Sequence, residues 1–354
     1  MTDPLRILYV GPLWAGGTCG QRMKALRDLG HYVLGIDTET PRIRSANASL
    51  RQRVRCKLFR LGCDAFGPKD HGGVNSAILQ CFETKNWDIV WIDKGLIIEA
   101  ETLRRIRNNS PNSLIVGYSP DDMYARRNQS RQFLQHLPLY HVYLTTKSYG
   151  AEELRKLGCH RVLVVGNGFD PTIHKPMPVS SEDRAAFGGP VGFIGDYEPQ
   201  RAASMHGLAS KGIRVRVWGP NWNRRWLKNK NLMLEGQSLW GDQYALALCA
   251  FDINLCFLRK CNRDLRTQRS FEIPACGAFM LAERTLEHMA LFKEGEEADF
   301  FSNDEELLRK VSYYLGNDQL RSRVAESGYQ RCKKSGYSNM DIMTRALLEI
   351  APGR

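Results

Sequence analysis

The sequence predicts an α/β protein made of two Rossmann-like, doubly wound domains, each with a parallel sheet. Three observations favour this fold class. The chain has 354 residues and is 43% hydrophobic, which is too large for one ordinary core and suits two. Short apolar runs alternate with helix-length amphipathic segments, as in parallel sheets that are covered by helices. A stretch rich in glycine and proline, residues 166–178, interrupts the alternation and predicts an interdomain linker.

The first domain opens with a strand, a loop and a helix. Leu5–Val10 is a short apolar run, residues 11–20 are rich in glycine, and Met23, Leu26 and Leu29 then recur at helical spacing. Later apolar runs of this domain predict buried strands at Tyr32–Ile36, Asp88–Ile92, Ser113–Tyr118, His141–Leu144 and Arg161–Val165. Those of the second domain predict strands at Val191–Ile194, Arg214–Trp218, Leu232–Leu234, Asp252–Cys256 and Ala278–Leu281, followed by a helical tail from Asp304.

The loop after the first strand contains Gly16 and Gly17, whose role the spacing leaves open. Its sequence is GPLWAGGTCG rather than the GxGxxG of dinucleotide sites, so a dinucleotide cofactor is not expected. Open parallel sheets bind ligands at the carboxyl ends of their strands. The two glycines therefore fit either a tight turn or backbone N–H groups that approach a donor phosphate or an acceptor.

The excess of basic residues indicates anionic partners. Lys plus Arg exceed Asp plus Glu by 50 − 38 = 12. A nucleic-acid partner is not expected, because the basic residues cluster near acidic and glycine motifs, without regularly spaced aromatic residues on a basic sheet face. Residues 42–61 are basic and have one apolar helical face. They fit either peripheral contact with an anionic membrane or a solvated helix that covers the sheet.

Cysteine usage and hydropathy predict a cytoplasmic protein. The ten cysteines form no CxxC pair and no Cys/His spacing typical of zinc, which fits a reducing compartment. The first residues lack the pattern of a signal peptide, and nowhere do about 18 apolar residues run together. We therefore expect a cytoplasmic location, at most peripheral to the inner face of the membrane.

The most informative feature of the chain is a pair of carboxylates eight residues apart, Asp264 and Glu272. In the segment DLRTQRSFEIPACG, Glu272 is predicted to open a helix of small residues, where a carboxylate usually accepts from free backbone N–H groups. Arg266 and Arg269 lie between the two acids. A ligand that carries both hydroxyls and phosphates, such as a sugar nucleotide, fits this mixture of charges.

Three motifs resemble those of the family 4-type glycosyltransferases, whose GT-B fold has two domains facing a central cleft. GFIGDYEPQR at 192–201 is similar to their phosphate loop, NGFDP at 167–171 to their hinge, and RSFEIPACGAF at 269–279 to their nucleotide-binding helix, closest to its CgeB-like (spore maturation protein type) version. The motifs follow the family's order across both domains. With the predicted elements, they imply an acceptor-side domain at 1–172, a linker at 173–188, a nucleotide-sugar domain at 189–335 and a helix at 336–354 that packs back on the first domain.

The resemblance also implies ligands for the nucleoside and the sugar. Glu272 matches the family's Glu that holds the ribose hydroxyls. Asp264 takes the position of a Glu that contacts the donor sugar, with a side chain one methylene shorter. Trp218 and Gly219 follow a strand where the family places its base pocket, and Trp218 fits the core equally well.

The diphosphate would be held by cations around the phosphate loop. Arg201, which follows Gly195 of this loop, falls where the family has a Lys that contacts the pyrophosphate. Asp196 stands in the position of a second cation, which Arg266 or Arg269 would replace.

The candidate general bases are Asp121 and Asp122, which follow a predicted strand of the first domain. They fit either a base that faces the acceptor hydroxyl or the N-cap and first-turn acid of a helix. His71 and His174 stand in loops rich in glycine or proline and are expected to be surface histidines. By resemblance the reaction retains the anomeric configuration, and the lack of a DxD pair in the sequence fits a reaction without a metal.

We therefore expect a glycosyltransferase whose donor is a nucleoside-diphosphate sugar, with UDP favoured and no cofactor beyond this substrate. The acceptor stays open among a glycan, a lipid-linked molecule, a protein and a small molecule. Two alternatives share the fold: a sugar-nucleotide epimerase, and a non-catalytic scaffold that binds nucleotide, which the aspartates at 196 and 264 keep open.

Overall fold

The structure, a computed structural model, describes residues 3–39, 54, 58–59, 67–222 and 225–352. The basic segment 42–61 lies outside the described residues except at positions 54, 58 and 59, so its membrane contact stays a prediction. The chain divides into two compact units, Met1–Gly166 together with Asn339–Arg354, and Asn167–Ser338.

The first unit alternates strands with helices. Its elements are β1 (Arg6–Gly11), α1 (Thr18–Asp28), β2 (Tyr32–Asp37), α2 (Val74–Thr84), β3 (Ile89–Asp93), α3 (Ala100–Asn109), β4 (Leu114–Ser119), α4 (Arg131–His136), β5 (Val142–Thr145), α5 (Gly150–Lys156) and β6 (Val162–Val164). The strands form a parallel sheet in the order β2-β1-β3-β4-β5-β6.

Both faces of this sheet are covered, which explains why its central strands are mostly apolar. Ile7 and Tyr9 of β1 belong to the core on one face, and Leu8 and Val10 to the core on the other. All five residues of β3 are buried. A strand that is buried on both sides has no solvated face to alternate with, so its sequence is a nearly continuous apolar run. The one charged residue of β3, Asp93, forms a buried ion pair with Arg22 of α1.

The second unit repeats the alternation. Its elements are α6 (Ser181–Phe187), β7 (Gly189–Ile194), α7 (Pro199–Ser210), β8 (Val215–Trp218), β9 (Leu232–Leu234), α8 (Gly241–Ala250), β10 (Phe251–Cys256), α9 (Arg269–Ala275), β11 (Met280–Glu283), α10 (Leu286–Leu291), β12 (Asp299–Phe301), α11 (Asp304–Leu315) and α12 (Asp318–Lys334). These strands are parallel in the order β12-β11-β10-β7-β8-β9. The predicted α/β class, with two doubly wound parallel sheets, is confirmed.

The strand order of the second sheet reverses between β7 and β10. The chain runs outward from β7 through β8 to β9, and then returns to add β10 on the other side of β7. In doubly wound sheets the crevice at such a reversal is the usual ligand site.

The last helix, α13 (Asn339–Ile350), belongs to the first unit. Its apolar side chains join the core that contains Ile7 and Tyr9; they are Ile342, Met343, Ala346, Leu347 and Ile350. Their spacing of three and four residues puts them on one face of the helix, which is why this end of the chain packs there.

The described residues include neither a helix that could span a membrane nor a cluster of metal ligands. Within them, every helix is too short or too polar to cross a membrane. The same part of the chain holds no group of three or more His, Cys, Asp or Glu side chains placed to bind a metal ion.

Candidate active site

The candidate donor residues of the second unit gather where β7 and β10 end. Arg201 lies in the first turn of α7, directly after the loop that follows β7. Its Nη1 donates to the carbonyl oxygen of Asp196 at 3.2 Å, and its Nη2 donates to that of Leu258, just beyond β10, at 3.1 Å. The guanidinium therefore joins the two loops at the reversal of strand order.

Arg201 is a buried cation with a donor to spare. Its side chain is 2% exposed, and Nη2 lies 3.4 Å from Oε2 of Glu198. Its Nε has no hydrogen-bond partner among the described residues. Burial, and then the positive charge of Arg269, lower the pKa of Arg201 to about 10. A bound anion would offset both effects, because it stabilises the charged guanidinium.

Arg269 brings a second guanidinium to the same place. The guanidinium carbons of Arg269 and Arg201 lie 5.5 and 5.3 Å from the centre of the Phe193 ring. The buried Nε of Arg269 also has no partner within the described part of the chain. A Cβ on Gly195 would lie 3.1 Å from Nη1 of Arg269 and 2.9 Å from the Phe193 ring, so only glycine fits beside this pair. Two cations with unused donors can bind a diphosphate.

The helix that carries Glu272 begins earlier than predicted. Glu272 was expected to open it, but α9 begins at Arg269. The hydroxyl of Thr267 accepts the N–H of Arg269 at 3.1 Å, and the hydroxyl of Ser270 accepts the N–H of Thr267 at 3.0 Å. These side chains satisfy backbone donors one turn upstream, so the helix extends there. Arg269 and Glu272 are thus three residues apart on one helix.

Glu272 is buried and only partly satisfied. The hydroxyl of Tyr244, in α8, donates to its Oε2 at 2.6 Å. Nε2 of His174 lies 3.7 Å from its Oε1, which is longer than a hydrogen bond. His174 accepts the N–H of Asp170 through Nδ1 at 3.1 Å, so its ring proton sits on Nε2 and faces the carboxylate. Oε1 keeps its capacity to accept hydrogen bonds from a ligand.

The prediction for His174 was wrong. Its loop contains several prolines and was expected to leave it on the surface, but the ring is 2% exposed. The N–H of His174 donates to the carbonyl oxygen of Asp170 at 2.8 Å, which closes a turn that folds the ring inward. His71 is exposed, as expected. Tyr244 escaped sequence reasoning, because a tyrosine among alanines and leucines is typical of a core position.

The first residues of the second unit are tied to the start of α9. Nδ2 of Asn167 donates to Oε1 of Gln268 at 3.1 Å, and Nε2 of Gln268 donates to the carbonyl oxygen of Gly168. Oδ1 of Asn167 is buried and has no partner among the described residues. The hinge motif NGFDP therefore contacts α9 at Gln268, and it reaches the neighbourhood of Glu272 through Asp170 and His174.

Asp264 and Arg266 each contact a side chain close to them in the second unit. Asp264 is 8% exposed, and its Oδ1 accepts from Nδ2 of Asn262 at 2.8 Å. Nε of Arg266 lies 3.2 Å from Oε2 of Glu287. Because Glu287 already balances its charge, Arg266 is a weaker candidate for the missing cation than Arg269.

Trp218 and Gly219 end β8 beside the phosphate loop. Trp218 is buried in the core, and its indole N–H donates to the carbonyl oxygen of Phe187 at 3.0 Å. Gly219 has a φ of 142°, and a Cβ there would lie 2.0 Å from the carbonyl oxygen of Gly195. Gly219 therefore lets the two loops approach closely, and its packing gives no direct indication of a base pocket.

In the first unit, Gly16 and Gly17 shape the turn between β1 and α1. Gly16 has a φ of 84°, in the left-handed region that favours glycine. Gly17 is the N-cap of α1, and a Cβ there would lie 2.7 Å from the ring of Trp14. Both glycines are needed for this turn whether or not a ligand binds beside it.

Asp121 and Asp122 follow β4 and are engaged within the first unit. Asp121 forms an ion pair with Lys94, which follows β3. Oδ1 of Asp122 accepts the N–H groups of Tyr124 and Ala125 at 3.2 and 3.3 Å, so this carboxylate stabilises a turn. Of the two, Asp121 is the stronger candidate for a base, because its partner is a side chain that can move.

One family model matches part of the chain. Residues 201–347, under half of the chain, match the family model described as Glycosyl transferase-like. This segment begins at Arg201 and includes Asp264, Arg269 and Glu272. No curated protein matches the chain in sequence.

Solved structures match both units. HepE from Anabaena, in complex with UDP and glucose, is 11% identical with a TM-score of 0.61, covering 98% of this chain and 100% of that one. A glycosyltransferase from Rickettsia africae is 12% identical with a TM-score of 0.62, covering 100% of both chains. A putative UDP-N-acetylglucosamine 2-epimerase from Listeria monocytogenes is 11% identical with a TM-score of 0.54, covering 99% and 96%. At these identities the likeness shows the fold, which is the GT-B fold of such glycosyltransferases.

Proposed function

We propose that this protein is a glycosyltransferase that moves a sugar from a UDP-sugar to an acceptor. The observation that carries the proposal is a pair of neighbouring guanidiniums, the buried Arg201 and the half-buried Arg269, whose buried Nε atoms have no partner among the described residues. Arg269 lies one helix turn from the buried carboxylate of Glu272. A nucleoside diphosphate has the complementary groups, namely phosphates for the arginines and ribose hydroxyls for the carboxylate. UDP is favoured because HepE, which shares the fold, was solved with UDP and glucose.

In this proposal the donor lies across the carboxyl ends of β7 and β10. Arg201 and Arg269 bind the diphosphate, with Gly195 leaving room for it. Glu272 accepts hydrogen bonds from the ribose hydroxyls, and Asp264 contacts the sugar. Gly219 lets the loop after β8 pack closely against the phosphate loop, while Trp218 supports the site from the core.

The chemistry follows from charge. Cleavage of the sugar–phosphate bond leaves a diphosphate with more negative charge than it had in the donor. Fixed guanidinium donors therefore stabilise the transition state more than the ground state. Transfer without a metal and with retention of configuration completes the proposal, and in such a reaction Asp121 would at most assist the acceptor hydroxyl.

Binding and turnover test the proposal separately. A thermal-shift screen of UDP-, GDP-, ADP- and dTDP-sugars should show the largest stabilisation with a UDP-sugar, because a ligand of the folded state raises the unfolding midpoint. Calorimetry with UDP should then show an affinity at least about tenfold weaker for Glu272→Gln, the loss expected for a hydrogen bond to a charged group. Glu326→Gln, on the exposed side of α12, is the matched control. Full UDP affinity in Glu272→Gln would remove the site assignment.

A second candidate function is a sugar-nucleotide epimerase. It is favoured by the structural likeness to the putative UDP-N-acetylglucosamine 2-epimerase from Listeria monocytogenes, which spans nearly the whole of both chains. The protein incubated with UDP-N-acetylglucosamine and no acceptor should leave the sugar configuration unchanged if it is a transferase. Accumulation of the epimer in the NMR spectrum would establish the alternative.

Peripheral contact with an anionic membrane through residues 42–61 is part of the same proposal. Flotation with vesicles of phosphatidylglycerol and phosphatidylcholine should recover the protein, and added salt should release it. A variant with Arg42, Arg44, Arg51 and Arg53 replaced by Gln should remain unbound. Equal recovery of this variant would assign the binding to another surface.

A further inference from the structure

Two cysteines lie directly behind the contact between Tyr244 and Glu272. Cys249 is five residues after Tyr244, near the end of α8. Cys276 is four residues after Glu272 and ends α9, where its N–H donates to the carbonyl oxygen of Glu272 at 3.1 Å. The same two helices therefore carry both the side chains that meet at the candidate ribose site and the two thiols.

The thiols occupy a junction of three segments. The Sγ of Cys249 lies 3.4 Å from the carbonyl oxygen of Cys276 and 3.8 Å from that of Lys175. Lys175 follows His174, whose ring faces Glu272. The three segments that meet at Glu272 are α8, α9 and the loop that contains His174 and Lys175. The same three segments also meet at Cys249. A displacement at the thiols must reach the carboxylate, because close-packed interiors transmit small shifts.

The two thiols differ in reactivity. A hydrogen bond from the thiol of Cys276 lowers the pKa of Cys249. The same bond, together with burial, raises the pKa of Cys276 well above its usual value. Cys249 therefore ionises first, and it is partly exposed, whereas Cys276 is 2% exposed. A partly exposed thiol of lowered pKa beside a buried thiol is the arrangement of an attacking and a resolving cysteine.

We propose that Cys249 and Cys276 form a reversible disulfide that regulates the nucleotide site. A peroxide is the oxidant. The Cys249 thiolate attacks one oxygen of hydrogen peroxide, and the O–O bond breaks. Hydroxide departs, and Cys249 becomes a sulfenic acid. The sulfur of Cys276 attacks that sulfenic sulfur, the S–O bond breaks, and the oxygen leaves as water. Overall the two thiols lose two electrons and two protons, and one peroxide becomes two waters.

The effect on the site rests on the proposed function. An S–S bond of about 2.05 Å is much shorter than a contact between two thiols, so its formation pulls α8 and the end of α9 toward each other. The hydrogen bond of 2.6 Å between Tyr244 and Glu272 cannot survive such a shift unchanged. Loss of a hydrogen bond to a charged group corresponds to an affinity for UDP about tenfold weaker. Reduction of the disulfide restores the two free thiols.

The test uses the full-length protein, hydrogen peroxide as the oxidant and UDP as the probe. After oxidation, non-reducing peptide mapping should find Cys249 linked to Cys276, and calorimetry should show UDP bound about tenfold more weakly, with recovery in dithiothreitol. Cys249→Ser should keep its UDP affinity through the same treatment. Cys276→Ala serves the same purpose if the first variant is unstable. Cys261→Ser, which removes an exposed thiol, is the matched control and should still respond to peroxide.

Two results would overturn the inference. One is the absence of the Cys249–Cys276 peptide after peroxide has oxidised Cys261. The other is a linked protein whose UDP affinity equals that of the reduced one. If reduced wild-type protein binds no UDP, the proposed function fails instead, and the peptide map alone decides whether this pair is an oxidation site.

Discussion

Replacement of Arg269 by Gln should weaken UDP binding while leaving the folded protein as stable as before, or more so. The reason is the repulsion between Arg269 and Arg201. Burial and, second, the positive charge of Arg269 lower the pKa of Arg201 to about 10. The whole shift corresponds to about 3 kcal/mol, and the repulsion from Arg269 is the smaller part of it because burial is the larger cause.

The expected loss of affinity is larger than the gain in stability. Arg269 would donate a charge-assisted hydrogen bond to the diphosphate, and removal of such a bond costs about 1.5–3 kcal/mol. The affinity for UDP should therefore fall by about 10- to 150-fold. Uridine has no phosphate, so its affinity should not change. The ratio of the two affinities isolates the contribution of the diphosphate.

Arg266→Gln is the comparison variant. Arg266 is already paired with Glu287, so this change should weaken UDP binding by less than about threefold, as expected for a partly exposed ion pair. Calorimetry with UDP and ligand-observed NMR with uridine give the affinities, and thermal unfolding gives the stability. Our reasoning is refuted if Arg269→Gln binds UDP as tightly as the wild type, or if UDP and uridine weaken equally.

Three further predictions concern single side chains. Gly30 has a φ of 90° and open space around it, so Gly30→Ala should destabilise the first unit by about 1 kcal/mol and lower its unfolding midpoint by about 2 °C through backbone strain alone; an unchanged midpoint in calorimetry would contradict this. Tyr244→Phe should weaken UDP binding by about tenfold without loss of fold, whereas Tyr313→Phe, on the surface, should not; equal effects would contradict the role of Tyr244. Burial lowers the pKa of His136 from 6.5 to about 4, so the unfolded chain takes up the proton first. Stability should fall by about 3 kcal/mol as the pH drops from 6.5 to 4, and His136→Gln should flatten that dependence in denaturant titrations.

The fold class was predictable because buried parallel strands are marked by local sequence. Four of the five residues of β3 are apolar, and glycines follow several strands where loops must turn tightly. β12 was missed because Asp299–Phe301 is short and begins with a charged residue, whereas the equally short β9 is a wholly apolar run. The structure divides the chain between residues 166 and 167 and between residues 338 and 339. The domain limits at 172 and 335 that the sequence indicates stay predictions.

The candidate site was less predictable, since it depends on contacts between distant residues. Glu272 stood out through its motif, but Tyr244 is 28 residues away along the chain, and nothing local to it indicates the hydrogen bond they form. His174 was misplaced because proline content predicts a loop but says nothing about which side chains fold inward. Local patterns predict elements, whereas partners across a sheet edge require the tertiary structure.

The contacts of Arg201 explain how this chain can have an Asp at position 196, where the glycosyltransferase motif that it resembles has a cation. Its Nη1 binds the main-chain carbonyl of residue 196, so that position supplies an oxygen whatever its side chain, and an Asp is tolerated there. In the proposed site, Arg269 supplies the charge missing at 196 from a different element. Because Arg269 and Glu272 are three residues apart on α9, they lie on neighbouring turns of one helical face. One rigid helix can then present both a diphosphate ligand and a ribose ligand, so a shift of α9 would alter both contacts together.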